Sequence, residues 1–94
     1  MAVLWSKLAA DDRERLFWEL NAASPQAADT QDAAIEKLAA SLDGMATYQQ
    51  LPDGTHYVPV KGYPVVILYD RDPVTGNAVV LDVVAARSNW KPML

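Results

Sequence analysis

The chain has no cysteine, one histidine, four glycines and no surplus of basic residues. Without cysteine there are no disulfide bridges, no thiolate-held metal and no cysteine nucleophile. The lone histidine, His56, rules out a His-rich metal pattern, and the sequence contains no Gly-rich phosphate loop and no nucleophile elbow. No motif calls for a cofactor or a metal. Eight Lys and Arg stand against twelve Asp and Glu, a net charge of −4. Tight phosphate binding draws on many Lys and Arg contacts, so general nucleic-acid binding is excluded, whereas a small cationic pocket is not. The opening MAVLWSKLAADD has a short apolar run and meets paired acids at position 11, which fits neither a signal peptide nor a membrane span. Nothing marks an oxidising compartment. The expectation is a cytoplasmic protein that makes no use of a membrane.

Ninety-four residues suit one domain, 1–94. A chain of this size buries about 60–65% of the surface its unfolded form exposes, enough for one modest core. Charge is unevenly spread. Residues 1–44 carry Lys7, Arg13, Arg15 and Lys37 against eight acids, a balance of −4, while residues 45–94 carry four of each sign. There are no internal repeats, no low-complexity tract and no interdomain linker.

AVLWS at 2–6 reads as a short strand. A helix follows from about Leu8 to Ala23, with Ala9, Arg13, Leu16, Phe17 and Leu20 near one stripe. The break is SPQAA at 24–28, where Ser24 is a good N-cap and Pro25 suits the first helical position. The second helix is expected from Pro25 to about Leu42, its stripe being Ala28, Ile35, Leu38, Ala39 and Leu42. So short a join makes the two helices an antiparallel hairpin. From residue 45 the period changes. HYVPV, YPVVILYDR and AVVLDVVAAR are three β-type runs joined by short turns, which predicts an antiparallel meander. Pro64 cannot donate to a ladder and belongs at a strand start or on an open edge. The fold class is α+β, in the order β-α-α-β-β-β: a twisted antiparallel sheet with a helical hairpin on one face.

Strict alternation in the last run puts Val79, Leu81, Val83, Ala85 and Arg87 on one face and Val80, Asp82, Val84 and Ala86 on the other. Asp82 is expensive to bury, so the first set is expected under the helices. Arg87 then ends the covered face where side chains shrink to alanine, and looks out along a groove.

In this order, VLWSKLAADDRERLFWEL, SPQAADTQDAAIEKLAASL, HYVPVKGYPVVILYDRD and VVLDVVAARSNW resemble the RelE/ParE superfamily of toxins from type II toxin–antitoxin modules. The likeness covers nearly the whole chain and is nearest to the ParE branch. It implies one of two activities. RelE-like members cut mRNA on the ribosome; ParE-like members poison DNA gyrase and are not known for catalysis. Both are neutralised by a cognate antitoxin, so a hetero-oligomer with that partner is implied. The departures bear on the choice. Pro64 stands where a family arginine follows the Gly-Tyr pair, His56 where an arginine often opens the strand, and Ala85 and Ala86 where histidine is common. Cutting RNA requires removing a proton, stabilising an anionic phosphorane and protonating a leaving oxygen. Arg87 suits the middle task alone. The ParE-like reading is therefore preferred, with Arg87, Ser88, Asn89, Trp90, Lys91 and Tyr63 expected to bind the gyrase target. Arg87, Lys61 and His56 are the catalytic set if the chain is an RNase. A degenerate member that only binds partners is the third alternative.

Each candidate also has a plainer reading. Arg87 can be a strand-end cation whose stem covers apolar surface. Trp90, Tyr63 and Tyr69 can be packing residues, and His56 an edge residue. Asp11, Asp12, Glu14 and Glu19 fit a solvated helix face. Trp5, Trp18 and Trp90 are many for so small a core; any left exposed beside the helices would offer an antitoxin a landing site.

Overall fold

The computed structural model describes residues 3–42 and 49–87. Strand β1 (Val3–Trp5) leads into helix α1 (Lys7–Ala23), which turns into helix α2 (Pro25–Ser41). Strands β2 (His56–Pro59), β3 (Val65–Arg71) and β4 (Ala78–Ala85) follow. Local chemistry sets these boundaries. Ser6 caps α1, its Oγ accepting the Ala9 N–H at 3.0 Å while donating to the Leu81 carbonyl at 2.9 Å. Ser24 ends α1 through its own N–H, bonded to the Leu20 carbonyl at 2.8 Å, and starts α2 by accepting the Ala27 N–H at 3.2 Å. One residue closes one helix and opens the next, so the hairpin has no room to open.

The sheet order is β1-β4-β3-β2. The meander β2-β3-β4 is antiparallel as expected, but β1 lies parallel to β4, with Val3 opposite Ala78 and Trp5 opposite Val80. The sheet is therefore mixed rather than wholly antiparallel. A parallel pair needs a long crossover, and the helices plus two further strands supply it.

Strict alternation in β4 fails for a definite reason. Leu68 faces Asp82 and Tyr69 faces Val80, so Leu81 is an extra residue, a β-bulge. Before the bulge the buried residues are Ala78 and Val80; beyond it Val83 is buried. Val79 and Leu81, expected in the core, are only partly buried, because one inserted residue swaps faces on one side of the insertion.

The core joins Ala9, Ile35, Ala39 and Leu42 of the helical layer to Val58, Val65, Ile67, Tyr69, Val80 and Val83 of the sheet. Arg71, at the end of β3, fixes the far end of α2: its guanidinium donates to the Leu42 carbonyl at 2.7 Å and to the Gly76 carbonyl at 2.8 Å. Among the described residues, no helix is long and apolar enough to cross a membrane.

Candidate functional site

The helical layer carries one polar cluster that is internally satisfied. Arg13 donates to both carboxylate oxygens of Asp32, at 2.8 and 2.9 Å, and pairs with Glu36 at 2.6 Å. Its guanidinium carbon stands 4.9 Å from the centre of the Trp5 ring. This side chain binds β1, α1 and α2 together, and its charge is spent on two acids. Beside it Trp5, Phe17 and Glu14 help to line an open groove of about 600 Å³. Trp18, against the edge of Phe17, is 59% exposed, and Leu8 is also exposed.

A different chemistry gathers at the β2–β3 turn. The Val60 N–H donates to the Val65 carbonyl at 2.9 Å and the Tyr63 N–H to the Val60 carbonyl at 3.0 Å. Gly62 takes a φ of +89°, which a side chain would resist. Pro64 stands just before β3, where its missing N–H costs no ladder bond. Ala85 is opposite Val65, and the Ala86 N–H donates to the Pro64 carbonyl at 2.9 Å. Arg87 follows directly, exposed, in the turn that ends β4. Lys61 is exposed in the same turn region and Tyr63 is half-buried against the core. The fold thus brings Arg87, Tyr63 and Lys61 to one end of the sheet.

Lys37 joins them. With Ala34, Leu38, Val60 and Lys61 it lines a groove of about 410 Å³ between α2 and the turn. Sequence reasoning passed over Lys37, although a signal was present. The positions three and four residues away are Ala33, Ala34, Ala40 and Ser41, so no acid on its own helix can neutralise it. Among the described residues, Lys7, Arg13 and Arg15 all pair with carboxylates, whereas Lys37, Lys61 and Arg87 do not. Three cations without a carboxylate partner among the described residues, Lys37, Lys61 and Arg87, thus gather around one turn, whereas Arg71, at the other end of β3, is held by two carbonyls.

His56 is not part of this group. It lies opposite Tyr69, four residues along β3 from Val65, so roughly 13 Å of strand separates the two levels. Its ring stacks on Tyr69 with centroids 5.3 Å apart, and its Nδ1 is buried without a hydrogen-bond partner among the described residues. Ser88, Asn89, Trp90 and Lys91 lie outside the described residues. No group of three or more His, Asp or Glu side chains among the described residues is placed to hold a metal ion.

Among the described residues, Asp82 is a titratable group strongly altered by the fold. Partial burial, reinforced by hydrogen bonding to Asp12 of α1 and by that residue's charge, pushes its carboxyl up to about 6. The Val83 N–H, donating to Asp82 Oδ1 at 2.8 Å, and the charge of Arg15 act in the opposite direction.

No protein-family model and no curated protein matches the sequence. Among solved structures, the chain is similar to one from the chromosomal ParDE TA system of P. aeruginosa. The two share 15% identity and a TM-score of 0.76 over 93% of this chain and 97% of that chain. The fold is RelE/ParE-like, with its two helices and four-stranded mixed sheet complete.

Proposed function

We propose that this chain is the toxin of a type II toxin–antitoxin module, of the ParE-like kind, poisoning DNA gyrase and held in check by a cognate antitoxin. The likeness to a ParDE chain along almost the full length of both molecules carries this reading. Unpaired Lys37, Lys61 and Arg87 at one end of the sheet add to it, since a cationic end on an acidic protein suits an anionic target such as an enzyme–DNA intermediate. The action would be steric and electrostatic trapping, with no bond made or broken by this chain. Exposed Trp18 and Leu8 on the acidic helical layer favour a protein partner there, the expected place for the antitoxin. The RNase alternative is less well supported. Of its expected set of Arg87, Lys61 and His56, His56 sits at the other end of β3.

Purified protein added to DNA gyrase and supercoiled plasmid should accumulate cleaved DNA held by the enzyme, and Arg87→Ala should abolish the effect. Cutting of mRNA in a translation extract, with gyrase untouched, would replace this reading with the RNase one. Normal growth at confirmed expression without antitoxin would favour a degenerate binding partner. An antitoxin encoded beside this gene should raise the melting temperature of the chain; an unchanged midpoint would count against the pairing.

A further inference from the structure

Lys37 and Lys61 line one groove from two elements that are fixed independently of it. Lys61 sits in a tight turn, where the Tyr63 N–H donates to the Val60 carbonyl at 3.0 Å and Gly62 supplies the positive φ, +89°, that the turn requires. Lys37 comes from α2, close to the end of that helix at Ser41. With Ala34, Leu38, Ser41 and Val60 the two lysines line about 410 Å³ of open space, and among the described residues no acid lines it. A helix C-terminus ordinarily repels an anion. Here that end is offset by Arg71, whose guanidinium donates to the Leu42 carbonyl at 2.7 Å. Two like charges share the groove, and an anion between them removes their repulsion.

The walls narrow the kind of anion. Ammonium groups on separate elements act as point charges, which suits the tetrahedral oxygens of a phosphate; a carboxylate is better matched by the planar fork of an arginine. Ala34, Leu38 and Val60 offer a sugar an apolar wall. Ser41 carries the hydroxyl of the described lining, and its Oγ already donates to the Leu38 carbonyl at 2.7 Å. Such a wall fits a deoxyribose better than a ribose, whose 2′-hydroxyl calls for a partner. Among the described residues no aromatic ring lines the groove, so an unpaired base has nothing to stack on.

We propose that Lys37 and Lys61 hold the phosphodiester backbone of duplex DNA, the DNA on which gyrase acts. The assignment rests on the toxin reading and deepens it, because it gives this groove to the nucleic acid and not to the enzyme. Two phosphate contacts on a chain of net charge −4 bind duplex DNA only weakly by themselves. A toxin already seated on gyrase meets the same DNA at an effective concentration on the order of millimolar, and weak contacts then suffice.

The test needs no gyrase. Isotope-labelled full-length protein is titrated with a short DNA duplex at low salt and followed by NMR. The Leu38, Lys61 and Gly62 amides should shift, and log affinity should fall against log salt with a slope of about −2, the value for two neutralised phosphates. Lys37→Gln combined with Lys61→Gln should weaken binding at least about tenfold and bring the slope toward zero. Lys7→Gln, whose lysine is paired with Asp11 on α1, should change neither. No shift at these amides with duplex at roughly millimolar concentration, or an unchanged slope in the double variant, would overturn the proposal. So would an equal response to single-stranded DNA, to an RNA duplex or to polyglutamate. Gyrase-dependent cleavage without these shifts would leave the toxin reading standing and remove the DNA contact; the shifts without gyrase-dependent cleavage would leave the contact and remove the target.

Discussion

Replacing Asp82 by asparagine should stabilise the fold at neutral pH and leave its stability unchanged near pH 4. Asp82 follows the bulged residue of β4, where Asp12 and Arg15 of α1 face it. Its folded pKa, about 6, lies above the ordinary 3.8 because burial and the neighbouring Asp12 both disfavour its charge. The sign follows from proton linkage. Between pH 4 and 6 the folded chain holds a proton that the unfolded chain has released, so stability falls as pH rises through this window. Below pH 4 both states are protonated and nothing is lost; above about 6 both are ionised and the penalty is complete. The difference from 3.8 to 6 corresponds to roughly 3 kcal/mol in a dry site, and solvent on this partly exposed carboxyl reduces it to about 1 kcal/mol. Asparagine keeps an acceptor for the Val83 N–H and gains a donor toward Asp12, so the substitution removes the charge and little else. Urea unfolding of both proteins at pH 4.0 and 7.5 measures the gain directly. A gain of the same size at both pH values, or a loss at pH 7.5, would refute the carboxyl-pair account.

Other substitutions test separate parts of the fold. Ser6→Ala removes both the α1 N-cap and the bond to the Leu81 carbonyl, and should cost about 1–2 kcal/mol in chemical denaturation. Arg71→Met should cost about 2 kcal/mol, since the Leu42 and Gly76 carbonyls lose a charged donor; far-UV circular dichroism should show α2 fraying before the global transition. Ile35→Ala, at a fully enclosed site between α2 and the sheet, should cost about 2–5 kcal/mol with an unchanged denaturant slope. Gly62→Ala should cost about 1–2 kcal/mol through its backbone alone, because an added Cβ meets nothing within 4 Å while φ stays at +89°.

How far each feature could be read in advance depended on the range of the interactions that fix it. The helical hairpin was legible because Ser24, Pro25 and the stripes of Ala28, Ile35, Ala39 and Leu42 act within a few residues of one another. The meander was legible from its short turns, and Pro64, expected at a strand start or on an open edge, stands just before β3. Arg87 could be placed near the Gly62-Tyr63-Pro64 turn, since antiparallel neighbours with short joins leave little choice of register. His56 was misjudged as a neighbour of Arg87, because adjacency of strands says nothing about level along them.

Sequence alone determined the order of elements, the Ser24 cap, the acid-rich first half and the apolar helical residues that enter the core. Tertiary structure decided the parallel seating of β1 on β4, the bulge at Leu81 and the approach of Asp12 to Asp82. It also decided that Gln31 would be enclosed and that Lys37, Lys61 and Arg87 would share one end of the sheet. The first group rests on propensities and patterns that one segment carries within itself. The second rests on contacts between segments tens of residues apart, where a single inserted residue reverses which side chains face inward, and no local pattern records that outcome.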